Sequence, residues 1–194
     1  MANENAIVDD IDQAIDASPV LDEVHRRLIQ ELPHLAKVAH IPEHLVYKPL
    51  SGFCTPEEVE WVRGVRSHPE NGCYGMWYSV MSESPTIMER MQAIAAACLR
   101  NFIDARVMSM QEVINALSSD TMPEPTVLLI PNFWTGWKAE NAGHKYKAER
   151  LGELLISRQL AGHLTVIYAE NKSGLMGQVF GLEVAQLIAQ FKQI

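Results

Sequence analysis

Short runs of aliphatic and β-branched residues alternate along this chain with longer segments in which apolar side chains return every three or four positions. The first pattern is that of strands buried on both faces, the second that of amphipathic helices. Near the start, Leu21, Val24, Leu28, Leu32 and Leu35 form a helical stripe that must cover an apolar surface, and Pro33 is expected to kink or divide that helix. Residues 41–53, punctuated by Pro42, Pro49 and Gly52, read as a linker. Thr55-Pro56-Glu57-Glu58 supplies an N-cap, a proline at the first helical position and a capping-box glutamate, so a helix is expected from there to about residue 67. A strand at 73–80 follows, then a helix at 85–100 whose Ala95-Ala96-Ala97 permits close packing on a sheet. After a strand at 106–108, Ser109 and Glu112 make a second capping box and open a helix to about residue 117. The remaining elements are a strand at 126–130, a long loop, a helix at 146–159, a strand at 164–168 and a last helix at 177–191.

Strands alternating with helices predict a doubly wound α/β domain with a parallel sheet. The expected organisation is an N-terminal helical extension over 1–50 and the α/β domain over 55–194. Ligands of such sheets sit at the carboxyl ends of the strands, which places any small-molecule site in the loops at 81–85, 131–138 and 169–173.

The first of these loops lacks the chemistry of a phosphate loop. Such loops use glycines to turn backbone N–H groups inward, a lysine for charge and a Ser or Thr for magnesium. The chain has no glycine between Gly75 and Gly136, and Ser82, Ile87, Met88 and Glu89 stand where Gly, Gly, Lys and Ser/Thr are required. Arg90 lies two residues beyond the lysine position, and two residues turn a helical side chain by about 200°, away from the same phosphate. Glu83 and Glu89 place carboxylates near the helix N-terminus, where they compete with an anion.

The segment Glu57-Glu58-Val59-Glu60-Trp61-Val62-Arg63 followed by His68-Pro69-Glu70-Asn71-Gly72, together with Ala105-Arg106-Val107-Met108-Ser109, Val127-Leu128-Leu129-Ile130 and Leu164-Thr165-Val166-Ile167-Tyr168-Ala169-Glu170-Asn171, resembles the ATPase domain of the DnaC/IstB-type helicase loaders, a branch of the AAA+ family. The resemblance runs from about residue 55 onward and implies a sheet of the P-loop NTPase (AAA+ core) type. It also implies that Asn171 stands at the sensor position, that Pro131-Asn132 replace the acidic residues that hold magnesium after the third strand, and that Gln186 and Leu187 occupy the neighbourhood of an arginine that reaches into a neighbour's nucleotide. With loop, acidic pair and arginine all absent, the expectation is a protein that is not an enzyme and holds no cofactor or metal. It would serve as an interaction or assembly subunit in DNA replication, transposition or a phage-related process. A helicase, a transposase or a related ATPase is the expected partner, with self-association as a further expectation. In the loaders the region before the ATPase domain binds the helicase or DNA. The N-terminal helices here therefore carry either a partner site or their own core packing.

Composition adds limits. The chain has 194 residues, 47% of them hydrophobic, enough for one domain with a real core plus an extension. No apolar run approaches the roughly 20 residues of a membrane span and no signal peptide opens the chain, so a cytoplasmic protein is expected. Cys54, Cys73 and Cys98 are odd in number and widely spaced, the pattern of reduced thiols. The first 24 residues hold seven acids and no Lys or Arg, and the formal net charge of -8 opposes general nucleic-acid binding.

Two alternative functions stay open. One is a nucleotide-binding ATPase with an atypical phosphate loop that uses Arg90 or Lys138. The other is a single-stranded nucleic-acid module built on Lys138, Lys145, Lys147, Arg150 and Arg158, with Trp134 and Trp137 as stacking surfaces. Trp134, Trp137 and Lys138 are also the candidate interface, since tryptophans after a core strand either anchor a partner or fold back as a plug. His34, His40 and His44 lack a metal-site spacing and read as surface histidines. Cys98, His144 and His163 have nothing local to align them as nucleophile and base.

Overall fold

The computed structural model describes residues 11–79, 84–141, 145–169 and 173–194. It is an α/β structure with a single five-stranded parallel sheet flanked by helices, an arrangement compatible with Rossmann-like and P-loop-like folds alike. The strands are β1 (Gly75–Tyr78), β2 (Ala105–Val107), β3 (Val127–Ile130), β4 (Leu164–Tyr168) and β5 (Lys192–Gln193), in the order β2-β3-β4-β1-β5. Every pair of neighbouring strands is parallel, with Tyr78 opposite Tyr168 and Ile130 opposite Ile167. The helices are α1 (residues 11–16), α2 (Arg26–Ala39), α3 (Pro56–Arg63), α4 (Ile87–Arg100), α5 (Met110–Ser118), α6 (Phe133–Asn141), α7 (Lys145–Leu160), α8 (Ser173–Phe180) and α9 (Leu182–Ile188).

Handedness explains which face each helix covers. Parallel crossovers are right-handed, so the direction of travel across the sheet selects the face. The chain goes from β1 to the far edge at β2 through α4 on one face. It returns through β3 and β4 to β5 by way of α5, α6, α7, α8 and α9 on the other. Side chains alternate accordingly: Met76, Tyr78, Val127, Leu129, Val166 and Tyr168 meet α4, whereas Trp77, Leu128, Ile130 and Ile167 meet the return helices.

A single crossover helix cannot cover one face of five strands, and the N-terminal segment fills the rest. Leu21, Leu28, Leu32, Ala36 and Ala39 belong to the same buried cluster as α4 and the sheet. The N-terminal stripe therefore packs on the chain's own core, while Val24 of the same stripe is exposed. Arg100, near the end of α4, clamps the intervening segment by donating from Nη1 to the carbonyls of Val46 and Lys48 at 2.9 and 3.0 Å.

Several elements depart from the sequence expectations. Pro33 lies inside a continuous α2. Burial of Leu28, Ile29, Leu32, Ala36 and Ala39 on its inner face offsets the roughly 3 kcal/mol cost of an interior proline. The expected long loop after β3 is largely helix α6. The expected last helix is two, α8 and α9, separated at Gly181, whose φ of 92° is outside the helical range. β5 has no counterpart in the sequence pattern, because its two residues are exposed and too few to show alternation.

Among the described residues no helix is long and apolar enough to cross a membrane.

Candidate functional site

The place where this topology builds a ligand site follows from the strand order. From β1 the chain departs toward β2, and from the neighbouring β4 it departs toward β5. Connections diverging from adjacent strands leave a crevice at their carboxyl ends. Tyr78 and Ser79 end one wall and Tyr168 and Ala169 the other, joined where the Ala169 amide donates to the Tyr78 carbonyl at 3.1 Å. Ser79 is in turn held by the C-terminal segment: its amide and hydroxyl donate to the Ile194 carbonyl, and Gln193 Nε2 donates to its hydroxyl. Ser82, Glu83 and Asn171 lie outside the described residues, as does the side chain of Lys138.

Beside this crevice α4 begins. Its N-cap is Thr86, whose hydroxyl accepts from the Glu89 amide at 3.2 Å, while the Glu89 carboxylate accepts from the Thr86 amide at 2.7 Å and its hydroxyl at 2.9 Å. This is a capping box, and it puts a protein carboxylate at the helix N-terminus. The Thr86 backbone and then its hydroxyl hold the Glu89 carboxyl below its ordinary value of 4.5. Its contribution to stability is therefore complete above that range and drains away as pH falls through the lowered value. Thr86→Ala should cost about 1 kcal/mol in urea unfolding. Glu89→Gln should flatten the acid limb of the stability profile below about pH 4.5. Of the other positions aligned with a phosphate loop, Ile87 is buried and Met88 is 43% exposed.

Arg90, in the first turn of α4, points inward. Its Nη2 lies 3.2 Å from Oε2 of Glu58, a fully buried carboxylate on α3, and its guanidinium lies over the Tyr78 ring at 5.8 Å. Tyr78 donates its hydroxyl to the other Glu58 oxygen. Glu58 Oε2 also accepts the Thr55 amide at 2.7 Å, so one carboxylate closes the capping box of α3, pairs with Arg90 and satisfies Tyr78. Burial, with Glu58 close by, pushes the pKa of the Tyr78 hydroxyl well above its ordinary value, and burial likewise pushes up that of the neighbouring Cys54 thiol. Burial pushes the Cys98 thiol up to about 12. Neither thiol has the lowered pKa of a reactive cysteine. Cys54, Cys73 and Cys98 are all unbridged.

Glu58 is legible in sequence as a cap residue. Its partnership with Arg90 and Tyr78, 32 and 20 positions away, is not. The available signal was a cation embedded in the stripe Ile87, Met91, Ile94 and Cys98, all of them buried.

At the carboxyl end of β3, Pro131 is buried and Asn132 performs a structural task. Its side-chain oxygen accepts the Met110 amide at 2.8 Å and its carbonyl accepts the Gly136 amide at 2.8 Å, fastening the starts of α5 and α6. Gly136 is required there, because a Cβ would lie 2.6 Å from that of Met110. Trp134 and Trp137 are buried at 3% and 5% exposure in the return-helix core. Phe180 meets Trp137 edge-on at 4.9 Å between ring centres. In this arrangement the indoles fill the chain's own interior. Neither is exposed as a surface anchor.

The proposed basic strip also changes character. Arg158 is buried, donating from Nε to the Thr165 hydroxyl at 3.1 Å and from Nη2 to the Leu164 carbonyl at 2.6 Å. Arg150 pairs with Asp120 and Lys145 with Glu149. A strip of five free cations with exposed indoles is therefore not formed. Leu187 is buried and Gln186 exposed on α9. His40 pairs with Glu112 at 3.3 Å, and among the described residues no group of three His, Cys, Asp or Glu side chains is placed to hold a metal ion. His144 lies outside the described residues.

No family model matches the chain, and no curated protein matches it.

Proposed function

We propose that this chain is a catalytically inactive interaction or assembly protein on a P-loop NTPase scaffold of the AAA+ type, resembling DnaC/IstB helicase loaders. The observation that carries the reading is the first turn of α4. Its N-terminus is closed by its own Glu89, and its cation, Arg90, is consumed by Glu58. A phosphate approaching there meets a carboxylate in place of a lysine, and freeing Arg90 strands a buried charge. Asn132, where the resembling family has a magnesium-holding acid, is occupied in capping α5. The strand order supports the assignment: β2-β3-β4-β1-β5 is neither the dinucleotide-binding order nor the flavodoxin-like order. The partner would be a helicase, a transposase or an active relative, met through a surface and without nucleotide turnover.

Calorimetric titration with MgATP should give no saturable heat up to about 1 mM nucleotide. Co-sedimentation with a replicative helicase, a transposase or a loader ATPase should show complex formation with one of them. Micromolar, magnesium-dependent ATP binding removes the inactive assignment. Failure to associate with all three classes removes the assembly role. The nucleic-acid reading is not favoured, because Arg158 and the two indoles it needs are internal.

A further inference from the structure

The opposite end of α4 carries a second, independent feature. Helix α4 begins beside the carboxyl edge of the sheet and ends at the amino edge, where the chain turns into β2. There, between the ends of α3 and α4 and the 49–51 segment, lies an open cleft of about 490 Å³. That volume is in the range of small-molecule sites. Its floor is apolar, with Val20, Val59, Val62, Ala97 and Ile103.

The charge lining is one-sided. Arg63, Arg66 and Arg100 all line the cleft, and among the described residues no carboxylate lines it, in a chain with 24 acidic and 16 basic residues. Arg63 is the least available, since Glu60, outside the lining, pairs with it at 3.4 Å. Among the described residues Arg66 donates only to the neutral carbonyl of Asn101, at 2.8 Å. Arg100 is the most informative. It is 9% exposed, and Nη1 serves the Val46 and Lys48 carbonyls. No hydrogen bond among the described residues engages its Nε or Nη2. A buried guanidinium facing only neutral partners is costly, because desolvation is not offset by an opposite charge. Burial accordingly lowers its proton affinity, with no carboxylate acting to raise it.

We infer that this cleft binds a small amphipathic anion, a carboxylate or phosphate monoester with an apolar body, whose headgroup meets Arg66 and Arg100 while its body lies on the Val59, Val62 and Ile103 floor. The cleft is separated from the β1/β4 crevice by the length of α4, so this ligand site stands whether or not the crevice has lost nucleotide binding.

The test is calorimetric titration of the full chain with four probes: decanoate, decyl phosphate, decanol and inorganic phosphate. Decanoate or decyl phosphate should bind saturably with Kd of order 0.1 mM, and decanol and inorganic phosphate at least about tenfold more weakly. The tighter of the two amphiphiles identifies the headgroup as carboxylate or phosphate. Arg63→Gln/Arg66→Gln, on exposed side chains, should weaken the tighter amphiphile roughly tenfold, and Val62→Glu, which brings a carboxylate into the cleft, should abolish its binding. The proposal is overturned if neither amphiphile saturates by about 1 mM, if decanol or inorganic phosphate binds as tightly as the charged amphiphiles, or if both variants bind them unchanged.

Discussion

Glu58→Ala should destabilise the protein by about 3–5 kcal/mol, the cost of leaving a buried charge without its partner. Three losses coincide at this position. Arg90, whose side chain is 14% exposed, keeps its charge with no carboxylate beside it. The Tyr78 hydroxyl, interior to the core, loses its acceptor. The Thr55 amide loses half of its capping box. Against a total stability of roughly 5–15 kcal/mol, such a loss moves the urea midpoint far enough to read without extrapolation. Glu58→Gln should recover only part of it, since the amide oxygen can still accept from Arg90 and the Thr55 amide but brings no charge to offset the guanidinium. The paired change Glu58→Met/Arg90→Met should recover much of the loss, because removing both charges also removes both desolvation costs. A Glu58→Ala variant within about 1 kcal/mol of the parent would show that the ion pair is not what fixes α3 to α4.

Gly75→Ala should be nearly as severe, at about 3 kcal/mol, the upper end of overpacking costs. Gly75 faces Thr165 in the β1–β4 register, and a Cβ on it would stand 2.1 Å from the Thr165 carbonyl oxygen and 2.7 Å from the Phe191 ring. A ring can swing aside, but a ladder carbonyl moves only with its strand. Relief therefore displaces β1 from β4 or lifts Phe191, and with it the short β5. For a chain of this length a loss of that size lowers the melting temperature by roughly 6–12 °C. A melt within about 2 °C of the parent would mean that the two strands separate freely at this point.

The parts of this fold that were legible are those whose cause is local. Strands such as Leu164–Tyr168 stand out because both faces are covered and their aliphatic run is unbroken. The Thr55/Glu58 and Ser109/Glu112 boxes are readable because cap and partner are three residues apart. Thr86/Glu89 is the same motif, but Pro85 beside it signals a helix start one residue early and the alignment with a phosphate loop gives Glu89 a competing reading. Helix α6 was hidden by Gly136 and the dense aromatics around it, whose reason is contact with Met110 and Phe180. Distant partners were illegible for the same reason: Arg90 could be excluded from phosphate duty by helical rotation, yet its destination at Glu58 is a tertiary fact. Arg158 looked like one cation of a surface strip until Thr165 and the Leu164 carbonyl claimed it.

Helix α4 has buried residues continuously from Ala93 to Arg100, with α2 and α3 outside it and the sheet beneath. Over that stretch the helix has no spare face on which to absorb a register error. Inserting one residue within its first turn swings everything upstream by about 100° against the rest. Arg90 then leaves Glu58 while the alanines stay seated, or the reverse. An insertion in α4 should therefore be far more damaging than one of the same length in a connection between elements.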